Sequence, residues 1–363
     1  MNVLVSTVSS LEKDSFLKPV TAIIPPFVGT IMLFKDHKPQ FGNWTGEINS
    51  ADLREYRRGN WSDLLLPMRE KRWQYIGLYG EEFIIGLAIV HAGYIGNIFA
   101  YVYDRKTCGF WEIERTAPLA QGIRFERSLK ESTVAYRTMD EHIRFNNNLS
   151  AGKRGVDVRL KNEGLILDIR VDIVDNISTH PPLQTLMPTP DGDCSFTHKT
   201  AGLTVVGKIR LGDTHWDLDV AKTYAVVDTT IGYHARETQW NWASFSGDSH
   251  GMTMGLNLAN PTHSENAFWI NGIQHRVSPV EFQYTDGDSP WTIRSIDSHS
   301  ELGSVDLQFT PLHCRRQNID FFVLSSAFEQ PCGVFNGTLR SSTGESFTVD
   351  NVPGVVEDHF ARW

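Results

Sequence analysis

Val156 to Ile173 reads VDVRLKNEGLILDIRVDI, and the fold class turns on how that stretch is read. Apolar and charged residues alternate almost without fault on either side of Asn162-Glu163-Gly164. Successive side chains of a strand point to opposite faces, so this pattern makes a ribbon with one buried and one wetted face. An α-helix would need a period near 3.6 instead. With turn residues at its centre, the stretch is an antiparallel hairpin.

The same alternation continues outward in both directions, broken roughly every 8 to 12 residues by Gly, Asn, Asp or Pro. Trp73–Leu87 (WQYIGLYGEEFIIGL) is expected to be a hairpin around Gly80-Glu81, and Tyr94–Tyr103 a strand ending in a turn at Asp104–Gly109. Phe268–His275 places Asn271-Gly272 between apolar strands, a dipeptide suited to a type I′ turn because both central residues need positive φ. Asp306–Thr310, Asp320–Phe328, Val334–Arg340 and Ser346–Val349 extend the series. Only short helices are expected, at Ala51–Arg58 and within Leu119–Glu131. The chain is therefore read as all-β and antiparallel.

Ser178–Asp193, STHPPLQTLMPTPDGD, carries four prolines and no periodicity. Proline cannot donate to a β-ladder, so the domain junction is expected there, dividing the chain into residues 1–185 and 186–363. No short period repeats within either part, which argues against a propeller or solenoid.

Composition bounds the function. Of 363 residues, 40% are hydrophobic and 21% charged, enough to bury a core and too apolar for a disordered chain. A net charge of −9 argues against a nucleic-acid surface, which needs clustered Lys and Arg. The basic run Arg54–Arg58 reads as a solvated face. Cys108, Cys194, Cys314 and Cys332 form no CxxC pair and read as free thiols. No apolar run approaches the ~20 residues that span a bilayer, and no signal-peptide pattern opens the sequence. A soluble, cytoplasmic protein is expected.

His234–Gly247, HARETQWNWASFSG, is where chemistry concentrates. If it is one strand, His234, Arg236, Thr238, Trp240, Trp242, Ser244 and Ser246 share a face. A core face would be aliphatic, and a solvent face would rarely carry two indoles. A cavity wall satisfies both, since ligand sites are mostly apolar with a few placed polar groups; the alternative is an Arg packed on Trp at a sheet edge. Further ionisable groups are His198-Lys199, Asp228, Glu265 beside Asn266, and Asp358 near the end of the chain. The 13 histidines are scattered without ligand-like spacing, and no GxSxG, Walker, GxGxxG, HExxH or EF-hand pattern occurs. Neither a metal nor an organic cofactor is expected.

Thr197-His-Lys-Thr-Ala-Gly202, Asp228, Gly232-Tyr-His-Ala-Arg236, Thr238, Trp240-Asn-Trp-Ala-Ser244, Gly255-Leu-Asn-Leu258, Glu265-Asn-Ala267, Pro290-Trp291, Glu357-Asp-His359 and Arg362-Trp363 together resemble the domain of unknown function 2804 family. Trp73–Asp104 looks like that family's N-terminal half. The family is distantly similar to the lipocalin-like group containing hydroxyneurosporene synthase (carotenoid hydratase) and fungal pericyclases. The resemblance implies two lipocalin-like, calycin-type β-barrel or β-sandwich domains packed around a pocket.

On that basis the expected function is cofactor-independent acid–base chemistry of hydratase, lyase or isomerase type on a small terpenoid- or polyketide-like molecule at the domain interface. Asp228 or Glu265 would be the acid and His234 its partner base, with Arg236 orienting the substrate. Trp240 and Trp242 would form the apolar wall, where indole faces favour developing positive charge. His198, Lys199, Ser244, Asn266 and Asp358 would complete the shell. The alternatives are a carbohydrate-active enzyme using Asp228 and Glu265 as a carboxylate pair with stacking tryptophans, or a lipocalin-like carrier of a lipid or pigment.

Overall fold

A computed structural model describes residues 32–46, 48, 50–56, 66–218, 223–296, 301–320 and 325–363. It is all-β: beside the two-stranded ribbon of Phe34–Lys35 and Lys38–Pro39, two large antiparallel sheets form two lipocalin-like domains. In the first, Lys153–Asn162 and Leu165–Val174 pair as the alternation requires, from Asn162 opposite Leu165 to Lys153 opposite Val174. Glu163 and Gly164 turn the chain at φ of 51° and 79°, the left-handed pair that a two-residue hairpin demands. Val156, Val158, Leu160, Leu167, Ile169, Val171 and Ile173 all enter one buried cluster, each stabilising the fold by about 1.5–3 kcal/mol relative to exposure.

Eleven strands form the main path of this sheet. In spatial order they are Gly109–Pro118, Ile95–Asp104, Phe83–His91, Lys71–Gly80, Thr223–Gly232, Cys194–Leu211, Leu165–Val174, Lys153–Asn162, His142–Asn148, Glu131–Arg137 and Ile123–Phe125. The sheet curls into a nearly closed barrel. Side chains stitch its first strand to Lys153–Asn162: Trp111 Nε1 donates to the Asn162 carbonyl at 3.3 Å, and Asn162 Nδ2 to that of Glu112 at 2.7 Å.

The second sheet, a half-barrel, runs Ile273–Arg276, Ala267–Ile270, Met252–Asn260, Glu237–Ser249, Ser346–Arg362, Ser325–Arg340, Ser304–Asp320, Trp291–Ser295 and Val280–Gln283. Asn271 and Gly272 make the expected hairpin turn, with φ of 49° and 84°. Its concave side holds a second core of Phe245, Leu256, Phe309, Phe335 and their neighbours.

A third cluster lies between the sheets and joins Tyr75, Tyr79, Phe99 and Tyr101 of the first to Trp242, Trp269 and Phe328 of the second. Strand Lys71–Gly80 therefore sends Ile76 and Leu78 into the barrel and Tyr75 and Tyr79 into the interface. Burial on both faces explains its continuous apolar character. Ser246 fastens the sheets directly, accepting from the Gly202 N–H at 2.7 Å and donating to the Ala225 carbonyl at 2.8 Å.

Several expectations need correction. The proline-rich segment is no linker: Leu183–Pro188 pairs with Cys194–Leu211 in the first sheet, and its prolines sit at or outside the strand ends. The chain changes sheet between Gly232 and Glu237 instead. Leu119–Glu131 is not helical, because Leu119 and Ala120 are both left-handed at φ 54° and lead through a turn into strand Ile123–Phe125. Ala51–Arg58 contains a single 3₁₀ turn, Leu53–Glu55, capped by Asp52; Arg57 and Arg58 lie outside the described residues. The late short strands are pieces of Ser304–Asp320, Ser325–Arg340 and Ser346–Arg362. Their ladders shift register at Pro311/His313 and Phe335/Gly337, and residues 321–324 of the expected strand Asp320–Phe328 lie outside the described residues. Cys194, Cys314 and Cys332 are buried free thiols, whereas Cys108 is exposed. Among the described residues no helix is long and apolar enough to cross a membrane.

Candidate functional site

A cavity of about 360 Å³ opens between the sheets. Strand alternation decides who lines it. Trp73 and Tyr75 reach it from Lys71–Gly80, Lys199 from Cys194–Leu211, and Asp228 and Thr230 from Thr223–Gly232. From the other sheet come Trp240 and Trp242, Phe328 and Gln330, and Glu357 and His359. All three pairs stand two residues apart on one strand face. Most of the wall is apolar, as small-molecule sites usually are.

Two polar centres interrupt it. Lys199 Nζ lies 2.9 Å from Asp228 Oδ2 and 2.7 Å from Glu265 Oε2, with all three side chains under a tenth exposed. Burial opposes the charge on Lys199, yet the two carboxylates together outweigh it and hold its pKa above the usual lysine value. Burial raises the Glu265 carboxyl, partly offset by Lys199. The Lys199 ammonium also lies 5.9 Å from the centroid of the Trp242 ring.

The second centre is Glu357. Trp240 Nε1 donates to its Oε1 at 2.7 Å and Gln330 Nε2 to its Oε2 at 2.8 Å. Burial disfavours the carboxylate more than these two donors favour it, and the pKa is pushed up to about 7. His359 Nδ1 stands 3.9 Å from Oε1 and has no hydrogen-bond partner among the described residues, while its Nε2 is 2.9 Å from Ser326 Oγ. Burial, reinforced by Arg315, lowers His359 to about 3, so the ring is neutral at physiological pH.

An aromatic ladder runs along the wall. His234 stacks on Trp73 at 5.1 Å, Trp73 on Trp240 at 6.1 Å with planes 8° apart, and Trp240 meets His359 edge-on at 4.3 Å. Burial first, and then the Lys71 ammonium, depress His234 to about 4. Trp242 spends its N–H on Asn257 Oδ1 at 2.8 Å.

The structure thus brings together six residues expected from the sequence: Lys199, Asp228, His234, Trp240, Trp242 and Glu265. Five others lie away from the cavity wall. Arg236 is exposed and bonds the Trp363 carbonyl, because the strand begins only at Glu237 and alternation does not extend back to it. His198 points into the barrel, between Arg154 at 3.0 Å and Gln184 at 3.3 Å. Ser244 donates to the Leu256 carbonyl at 2.7 Å. Asn266 accepts from the Ala259 N–H at 2.7 Å and donates to the Ser278 carbonyl. Asp358 faces away from the cavity toward Asn241. Sequence reasoning missed Glu357, His359, Gln330 and Trp73; the available signal was parity, since neighbours of Asp358 must occupy the opposite face.

The chain belongs to the family described as a domain of unknown function (DUF2804), whose model matches residues 40–363. Among solved structures it is similar to CghA, with 11% identity over 82% of this chain and 88% of that one and a TM-score of 0.51. CghA with Sch210972 gives 10% identity over 82% and 89%, also at 0.51. Kievitone hydratase from Nectria haematococca gives 10% over 81% and 88%, at 0.49. At such identities the likeness to CghA concerns the fold alone. No curated protein matches the sequence.

Proposed function

We propose that the inter-sheet cavity is the active site of a cofactor-independent enzyme of hydratase, lyase or isomerase type, acting on a small, largely apolar molecule. The observation that carries this reading is Glu357, a buried carboxyl with a pKa of about 7 on an aromatic wall. A general acid works best when its pKa lies near the operating pH.

Glu357 replaces Asp228 and Glu265 as the acid in this reading, because both of those are engaged in ion pairs with Lys199. Glu357 would give its proton to a carbon or oxygen of the substrate. Trp240 and Gln330, already donating to the carboxyl, would then stabilise the carboxylate left behind. The faces of Trp73 and Trp242 suit the positive charge that protonation creates. Attack by water, which returns a proton to Glu357, completes a hydration; loss of a neighbouring substrate proton to Glu357 completes an isomerisation. His359, the nearer imidazole, takes the adjacent-base position first expected for His234.

The carbohydrate reading is weaker, because Lys199 occupies the space between the two carboxylates where a sugar would have to sit. A carrier would need no tuned acid. The test begins with mass spectrometry of small molecules extracted from the purified protein. The identified compound, incubated with protein in D₂O, is expected to gain deuterium at carbon with the wild type and not with Glu357→Gln. Equal incorporation by both proteins would contradict the assignment, and tight binding without any exchange or turnover would favour the carrier.

A further inference from the structure

Lys199 has more hydrogen-bonding capacity than the protein uses. An ammonium carries three N–H donors, and Asp228 Oδ2 and Glu265 Oε2 take two. Among the described residues no other acceptor bonds it; its remaining neighbour on the cavity side is the Trp242 ring, 5.9 Å from Nζ. The carboxylate of Glu265 in turn accepts its hydrogen bond from Lys199, although a carboxylate has room for about four. All three residues line the cavity.

A spare donor beside a spare acceptor is matched by a group that both accepts and donates. A hydroxyl does this, accepting from Lys199 and donating to Glu265. A ketone satisfies only the lysine. A carboxylate ligand would likewise satisfy only the lysine, and it would face the carboxyls of Asp228 and Glu265.

We infer that Lys199, Asp228 and Glu265 form a subsite for an alcohol or phenol hydroxyl, and that the substrate of the site proposed above is an apolar molecule bearing such a hydroxyl. The inference rests on that reading of the cavity and names its substrate class.

The test uses three probes of one shape: biphenyl, 4-phenylphenol and biphenyl-4-carboxylate. Binding to the full chain at pH 7 is followed by quenching of tryptophan fluorescence, to which Trp73, Trp240, Trp242 and Trp363 on the cavity wall contribute four of the ten indoles. The phenol is expected to bind roughly tenfold more tightly than biphenyl, the yield of one good net hydrogen bond, and the carboxylate most weakly. In the variant Lys199→Met/Asp228→Leu/Glu265→Met, which removes the charges and the hydrogen-bonding groups together, biphenyl and the phenol should bind alike. Equal affinity of the wild type for these two overturns the hydroxyl subsite while leaving the cavity reading intact, and needs no variant to fold. Tightest binding of the carboxylate overturns the subsite's charge. Failure of all three probes to bind overturns the small-molecule cavity itself.

Discussion

Replacing Glu357 by Gln is expected to stabilise the protein above neutral pH while abolishing the proposed chemistry. Burial holds the carboxyl at about 7 in the folded state against an ordinary value of 4.5. Between these pH values the folded protein keeps a proton that the unfolded chain has released. Stability is therefore fully present below pH 4.5, falls as pH rises through about 7, and then levels off. At 1.36 kcal/mol per pKa unit the loss amounts to about 3 kcal/mol. The amide carries no charge to desolvate and still accepts from Trp240. Gln330 Oε1, without a hydrogen-bond partner among the described residues of the wild type, can receive the new amide N–H once the Gln330 side chain turns over. Urea unfolding at pH 8.5 should show Glu357→Gln to be about 3 kcal/mol more stable, a rise of about 4 °C in thermal midpoint for a chain of this size. At pH 4.5 the gain should vanish. An identical difference at both pH values, or stabilisation confined to acid, would refute the reasoning.

Trp240→Phe removes a donor to the ionised form of Glu357, so its pKa should rise further and the alkaline limb of a pH–rate profile should move up by about one unit; a downward move would contradict this. Lys199→Met leaves two buried carboxylates without their counter-ion and should cost about 3–5 kcal/mol in urea unfolding, while unchanged stability would mean that the cluster is hydrated. Arg236→Ala, outside the cavity, should change stability by no more than about 0.5 kcal/mol and leave 4-phenylphenol binding as it is. A large loss of affinity in that variant would return Arg236 to the site.

The parts of this molecule governed by local rules were legible in its sequence. Period two identified the strands, and Asn162-Glu163-Gly164 and Asn271-Gly272 marked turns whose φ values bear them out. Trp240 and Trp242 announced the cavity because two indoles on one strand face have few other uses. What failed depended on long-range pairing. Nothing local tells that Trp242 stands opposite Glu357, and Trp240 opposite His359, so the sequence does not distinguish Asp358 from its neighbour Glu357, which is the one that faces the cavity. Adjacent residues cannot share a face, which separates Lys199 from His198 in the same way. Arg236 was misplaced because alternation was carried back past the true start of the strand at Glu237. The proline-rich stretch looked like a linker, yet prolines at a strand's ends leave its ladder intact.

The most direct measurement is a carbon-13 NMR titration of the Glu357 carboxyl, assigned by its absence in Glu357→Gln. A midpoint near 7 is expected, with the neutral acid dominant at pH 6. A midpoint at or below 4.5 would show a carboxylate ionised throughout the physiological range, and the cavity would then hold no general acid at that position.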